Sequence, residues 1–175
     1  MLEIRNLLLN PRPGVPGCKE FGTIAEDTIV TYLPNEVKVT TVDMGGGAVC
    51  DITLPAGDWV YSAYVGNYTG SDECTTPGGI ALAVLAGTPF YARFTGVDKR
   101  YTLQFPLYEE SAVTLLLPGP STVGESLSFS GMILASKQDY DAMRALTDAH
   151  GQPLNLEWFD GDTYPRNNSG GGSAS

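Results

Sequence analysis

The feature that most limits what this chain can become is a rhythm of short apolar runs, each closed by glycine, proline or asparagine. The runs read as strands at Ile4–Leu9, Thr28–Leu33, Glu36–Val42, Ala48–Leu54, Trp59–Val65 and Ile80–Leu85. They continue at Phe90–Thr95, Arg100–Phe105, Val113–Leu117, Ser126–Leu134 and Leu156–Phe159. Turn signals separate them at Leu33-Pro34-Asn35, Gly45-Gly46-Gly47, Pro55-Ala56-Gly57, Asn67 to Gly79, Pro118-Gly119-Pro120 and Gly161. Many short strands joined by such turns make a sandwich or a barrel, because each strand must bury one face against a second layer.

Length and charge narrow the choice. A chain of 175 residues has room for one domain with a proper core and would cramp a second. Residues 1–165 read as a single β-sandwich domain and residues 166–175 as a Gly/Ser-rich tail. The net charge of −10 argues against nucleic acid and anionic membrane surfaces, which need a basic footprint. With 42% hydrophobic residues the chain is nonetheless built to fold. No stretch approaches the roughly 18–20 apolar residues of a membrane span.

The opening residues, Met1 to Gly14, do not read as a secretion signal. Glu3 and Arg5 interrupt them, Leu7–Leu9 is too short for an apolar core, and Pro11 ends the run. Cys18, Cys50 and Cys74 cannot all pair within one chain, so they read as small buried hydrophobes in a protein made in a cytoplasm, which stays there or leaves by a route other than secretion. One segment departs from the β rhythm. Ser136 with Asp139 three residues later forms a capping pattern, and Tyr140, Met143 and Leu146 recur at helical spacing before Gly151. These predict one short helix near 137–149.

Alternation assigns faces. In the run 59–65, Trp59, Tyr61, Ala63 and Val65 point one way and Val60, Ser62 and Tyr64 the other. Phe90, Ala92 and Phe94 likewise oppose Tyr91 and Arg93, and Tyr101, Leu103 and Phe105 oppose Thr102 and Gln104. The large sets predict a core containing Trp59, Tyr61, Leu103, Phe105, Phe129 and Ile133. If these strands share a sheet, its outer face carries Ser62, Tyr64, Tyr91, Arg93, Thr102 and Gln104. Aromatic rings beside hydroxyl, amide and guanidinium donors suit a sugar, whose apolar CH patches are ringed by hydroxyls. The plainer alternative is an ordinary half-solvated antiparallel face.

No catalytic constellation emerges. The lone histidine, His150, reads as a cation at a helix C-terminus, and no Gly-x-Ser-x-Gly elbow accompanies it. One histidine and no Cys-x-x-Cys pair argue against zinc. The triple glycine at 45–47 lacks the Lys-Ser/Thr of a phosphate loop and reads as a hairpin turn. Glu109 and Glu110 face opposite sides if extended. Asp160 and Asp162 are too few for calcium and read as an Asp-Gly turn. The reading is of a non-enzyme without cofactor or metal.

Four stretches in order carry a resemblance. Asn6 to Arg12, "NLLLNPR", resembles the opening of carbohydrate-binding-module-like jelly rolls. "WFDGDTYP" at 158–165 resembles an element near the end of such domains in tailed-phage minor tail proteins. "GDWVYSAYV" and "LSFSGMILASKQDYDAM" look like that family's central strand and its late strand leading into a helix. The resemblance spans nearly the whole chain and departs from the family pattern after Thr163. It implies an all-β, jelly-roll-like antiparallel β-sandwich with one short C-terminal helix, whose first and last strands are neighbours. It also implies a virion component at the tail tip or baseplate of a phage of a Gram-positive, actinobacterial host, with a glycan-binding face for host attachment. Partners would be further copies of the chain, other virion proteins and host cell-wall glycan. A capsid decoration protein of the same fold and a free-standing carbohydrate-binding module are the alternatives. The Pro/Gly/Ser-rich stretches 10–22 and 160–175 predict segments ordered mainly by neighbouring subunits.

Overall fold

The computed structural model describes residues 3–8, 20–24, 28–34, 36–43, 46–70, 81–159 and 163–165, with Glu3 and 163–165 given by backbone alone. Cys18, Cys74, Asp160, Asp162 and the tail 166–175 lie outside the described residues. Its strands are β1 (Glu3–Arg5), β2 (Gly22–Thr23), β3 (Thr28–Leu33), β4 (Glu36–Thr41), β5 (Gly47–Leu54) and β6 (Gly57–Gly66). They continue as β7 (Ala81–Ala86), β8 (Thr88–Arg93), β9 (Lys99–Leu107), β10 (Ser111–Pro118), β11 (Ser126–Ser136) and β12 (Thr163–Pro165), with helix α1 (Lys137–Arg144) after β11.

Two five-stranded antiparallel sheets face each other. The first has the order β2-β5-β10-β7-β8 and the second β3-β4-β11-β6-β9. The chain passes between sheets at most connections, as in a jelly roll; only β3–β4 and β7–β8 are hairpins within a sheet. The glycines before β5 therefore do not turn a hairpin. β4 belongs to the second sheet and β5 to the first, so the chain crosses there, and Gly119 N–H is held by Gly46 O at 3.0 Å. The all-β sandwich with one short helix stands as the alternation predicts.

Inward positions of both sheets make one core. Trp59, Tyr61, Leu103, Phe105 and Phe129 are buried in it, and Phe94 stacks on Tyr101 with ring centroids 4.5 Å apart. Cys50 is buried in the same cluster, as a small hydrophobe. Ile133 is also buried, but in a second cluster on the outside of β11, with Ile4, Ala135, Met143, Leu146 and Phe159. The second sheet is thus covered over part of its outer face by α1, β1 and the C-terminal segment.

The switch in β11 has a local cause. Phe129 faces the core and Ser130 faces out, yet Met132 faces the core again, because the register with β6 shifts between Ser130 and Ile133. β4 pairs with β11 only as far as Ser130, so beyond the β-bulge the backbone groups on that side lack ladder partners, and Asn6 supplies them. Its Nδ2 donates to Met132 O at 3.0 Å, while its Oδ1 accepts from Leu134 N at 3.0 Å and Leu8 N at 3.2 Å. The first asparagine of "NLLLN" is therefore a buried plug for a bulge 126 residues away.

Ser136 caps α1, accepting from Asp139 N at 3.1 Å. The helix ends at Arg144, short of the expected 149, because Leu146 enters the second cluster from a turn and Thr147 bridges to Pro153. His150 consequently sits beyond the helix, in a turn where its N–H bonds Asp148 Oδ1; Arg144 is the basic group of the last turn. Residues 156–159 are not a strand. The closing strand is β12, paired antiparallel with β1 through Ile4 and Tyr164, so the first and last strands are neighbours as expected. Phe21 is buried and Gly22 pairs with Val49, so the end of the 10–22 stretch is held by its own domain.

Candidate functional site

The expected surface divides between the two sheets. Tyr64, Thr102 and Gln104 lie on the outer face of the second sheet, where Ser62 pairs with Thr102 and Val60 with Gln104. Tyr91 and Arg93 do not join them. Their strand, β8, pairs with β7 in the first sheet, so they face the opposite side of the molecule. Alternation sorts residues by face within a strand and carries no information about which sheet the strand enters. Ser62 is fully buried beneath its neighbours, donating to Tyr101 O at 2.9 Å and lying 3.0 Å from Thr102 Oγ1.

The group lying over Ser62 is Arg100, cross-strand partner of Tyr64. Its Nη1 donates to Ser62 Oγ at 3.1 Å and to Gly131 O, in the β11 bulge, at 2.8 Å. Its Nε donates to Glu157 Oε2 at 3.2 Å. Burial draws the guanidinium down from its usual pKa, and Glu157 opposes that shift. Glu157 also accepts from Arg144 Nη1 at 3.4 Å, and Arg144 reaches Leu156 O at 3.2 Å. Two arginines from different elements therefore clasp the segment before β12 onto the sheet.

That clasp seats Trp158. A Cβ at Gly131 would come within 3.0 Å of the Trp158 ring and 2.8 Å of Arg100 Nη2, so indole and guanidinium share the space a side chain would fill. Gly131 also sits at φ +51°, a conformation glycine adopts freely. A second glycine seats Tyr64. A Cβ at Gly66 would lie 3.2 Å from the Tyr64 ring and 3.3 Å from Asp98 Oδ1, so the ring reclines along its own strand over Gly66. Asn67, Asp98 and Asn155, the three non-glycine residues with positive φ among those described, adjoin Gly66 or lead into the Trp158 segment. Asn and Asp tolerate that conformation, and here they turn the backbone away at the margins of the face.

The result is two partly exposed rings, Tyr64 and Trp158, beside one guanidinium. The Tyr64 hydroxyl, Arg100 Nη2 and Trp158 Nε1 have no hydrogen-bond partner among the described residues. Along the row from β4, Glu36 accepts from Asn67 Nδ2 at 3.1 Å and from Ser128 Oγ at 3.2 Å. Among the described residues no cluster of His, Cys, Asp or Glu has the makings of a metal site. Arg100 shares the parity of Thr102 and Gln104, so extending the alternation back one step points to it. Trp158 and the two glycines have no such signal, because their roles arise from contacts distant in sequence.

No family model matches the sequence, and no curated protein matches it. Among solved structures, the CBM22-1 xylan-binding domain of Paenibacillus barcinonensis superposes with a TM-score of 0.52 at 13% identity, over 78% of this chain and 97% of that one. A variant of CBM29-2, a family 29 carbohydrate-binding module, gives 0.48 at 8% identity, over 78% of this chain and 87% of that one. The enzymatically active domain of tailspike protein 4 of bacteriophage CBA120 gives 0.45 at 12% identity, over 76% of this chain and 21% of that one. The first of these likenesses is one of fold: the chain shares the β-sandwich of that xylan-binding domain.

Proposed function

We propose that this protein is a non-catalytic glycan-binding module that reads its ligand with Tyr64, Arg100 and Trp158. The observation that carries the reading is the pair of seated aromatic rings beside Arg100, with three donors that have no partner among the described residues. Ring faces take the apolar CH face of a sugar, and the donors take its hydroxyls. The xylan-binding domain described above is an instance of this fold holding a polysaccharide. No hydrolysis is expected: Glu157 is held by two arginines and Glu36 by Asn67 and Ser128, where a glycosidase needs two carboxyls flanking one bond.

Affinity electrophoresis through gels containing xylan, arabinogalactan or soluble peptidoglycan tests the reading. Retardation in at least one gel is expected, with the polysaccharide recovered at unchanged length. Tyr64→Ala and Trp158→Ala are each expected to weaken binding about tenfold, equal to ~1.4 kcal/mol. Unretarded migration in every gel, or retardation unchanged by both substitutions, overturns it.

The setting we propose is a phage tail tip, with the module an oligomer-forming subunit that brings the virion to host glycan. The motif at 158–165 supports this, through its resemblance to an element of tailed-phage minor tail proteins. Gold-labelled antibody against the protein is expected to mark the tail tip of virions. Label on the head favours a decoration protein, and unlabelled virions favour a free-standing module.

A further inference from the structure

Along β9 the outward side chains after Arg100 are Thr102, Gln104 and Pro106, and the first two are exposed. This line ends in a cleft of about 280 Å³ lined by Asp58, Trp59, Gln104, Phe105, Pro106 and Lys137. The Gln104 amide and the Asp58 carboxylate have no partner among the described residues. Lys137, by contrast, is engaged with Asp141. Trp59 is anchored by Nε1 donating to Pro55 O at 3.1 Å, so the cleft wall is fixed before any ligand arrives. Apolar surface from half-buried Pro106, backed by the buried Trp59, thus meets an amide and a carboxylate without partners among the described residues. That mixture repeats the pairing of apolar surface with polar groups at Tyr64 and Trp158, with a carboxylate where that cluster has a guanidinium.

We infer that this cleft is a second sugar subsite, and that the ligand is an extended chain bound through its interior along β9. The inference rests on the glycan reading of the Tyr64–Arg100–Trp158 cluster and adds the ligand's length and course to it. At about 3.4 Å per residue, Arg100 and Gln104 are roughly 14 Å apart and Arg100 and Pro106 roughly 20 Å, farther than one sugar ring reaches. Thr102 lies between, its hydroxyl shared with Ser62 and open on its other side. β9 is an edge strand of the second sheet, so the chain lies against a ledge with one open flank. The cleft binds a hydroxyl donor to Asp58 and a hydroxyl of either sense to Gln104.

Calorimetric titration with xylo-oligosaccharides and arabinogalactan fragments, from disaccharide to hexasaccharide, tests the track. In the native chain affinity is expected to rise at least tenfold over that range. In the Asp58→Ala/Gln104→Ala double variant the rise is expected to vanish while disaccharide affinity is unchanged. Both residues are exposed, so an unaltered thermal melt accompanies the variant. A native chain whose affinity ignores length, or a double variant that keeps the full rise, overturns the subsite and leaves the Tyr64–Trp158 reading standing. A native chain that binds no oligosaccharide of any length overturns both.

Discussion

Replacing Asn6 with alanine is expected to destabilise the protein by about 3–6 kcal/mol. The side chain is 1% exposed and holds three backbone groups at once, Met132 O, Leu134 N and Leu8 N. Alanine leaves all three inside the molecule with nothing to bond, at about 1–3 kcal/mol for each unsatisfied group. Water entering the vacated space sets the lower end of the range. The same change loosens the β11 bulge, and with it the carbonyl of Gly131 that Arg100 grips. Glycan affinity is therefore expected to fall in protein that remains folded at low temperature. Urea unfolding measures the first effect and affinity electrophoresis the second. A loss under 1 kcal/mol would mean the bulge holds its shape without the plug.

Truncating Phe129 to alanine is expected to cost about 3–5 kcal/mol, from lost burial and the cavity left behind. Its side chain is fully buried between the sheets, with the Phe94 ring 6.3 Å away by centroid, and its strand is paired on both sides. Pairing of that kind keeps the backbone from collapsing into the gap, which places the expected loss toward the upper part of the range. Phe129 lies one residue before outward-facing Ser130 and two before Gly131, so the contrast with Asn6→Ala is informative. Phe129→Ala weakens the sandwich while leaving the bulge plugged, and glycan affinity in folded protein is expected to hold. A variant as stable as the native chain by equilibrium unfolding would place Phe129 outside the core.

What was legible in the sequence was what depends on near neighbours. The two-residue period in 59–65 and 101–105 put Tyr61, Leu103 and Phe105 inside, and the Ser136–Asp139 spacing located the start of α1. What depends on distant partners was not legible. Tyr91 and Arg93 alternate as Thr102 and Gln104 do, yet belong to the other sheet, because strand partners are chosen by the whole topology. Leu146 continued a helical spacing although the helix had ended, since the second cluster attracts an apolar side chain whatever backbone delivers it. Trp158 lies in a run that reads as a strand, and its neighbour Phe159 is core; only the glycine of a bulge in β11 explains why the indole lies where it does.

The plug that links Asn6 to β11 also fixes an order of events during synthesis. Leu134, which Asn6 must meet, follows it by 128 residues. At roughly 5–20 residues per second a ribosome adds that stretch in about 6–25 seconds, while Asn6 waits without its partners. Loop closure over such a length adds little free energy beyond a shorter loop, since the cost grows only with the logarithm of length. The delay is one of time, and it reaches further still for the proposed glycan face. Arg100 can meet Gly131 as soon as β11 forms, but its clasp on Glu157 and the seating of Trp158 wait for nearly the whole chain. A nascent chain stalled between Ser136 and Glu157 carries every strand of both five-stranded sheets, with Tyr64 and Arg100 in place, and lacks only the indole that completes the proposed face.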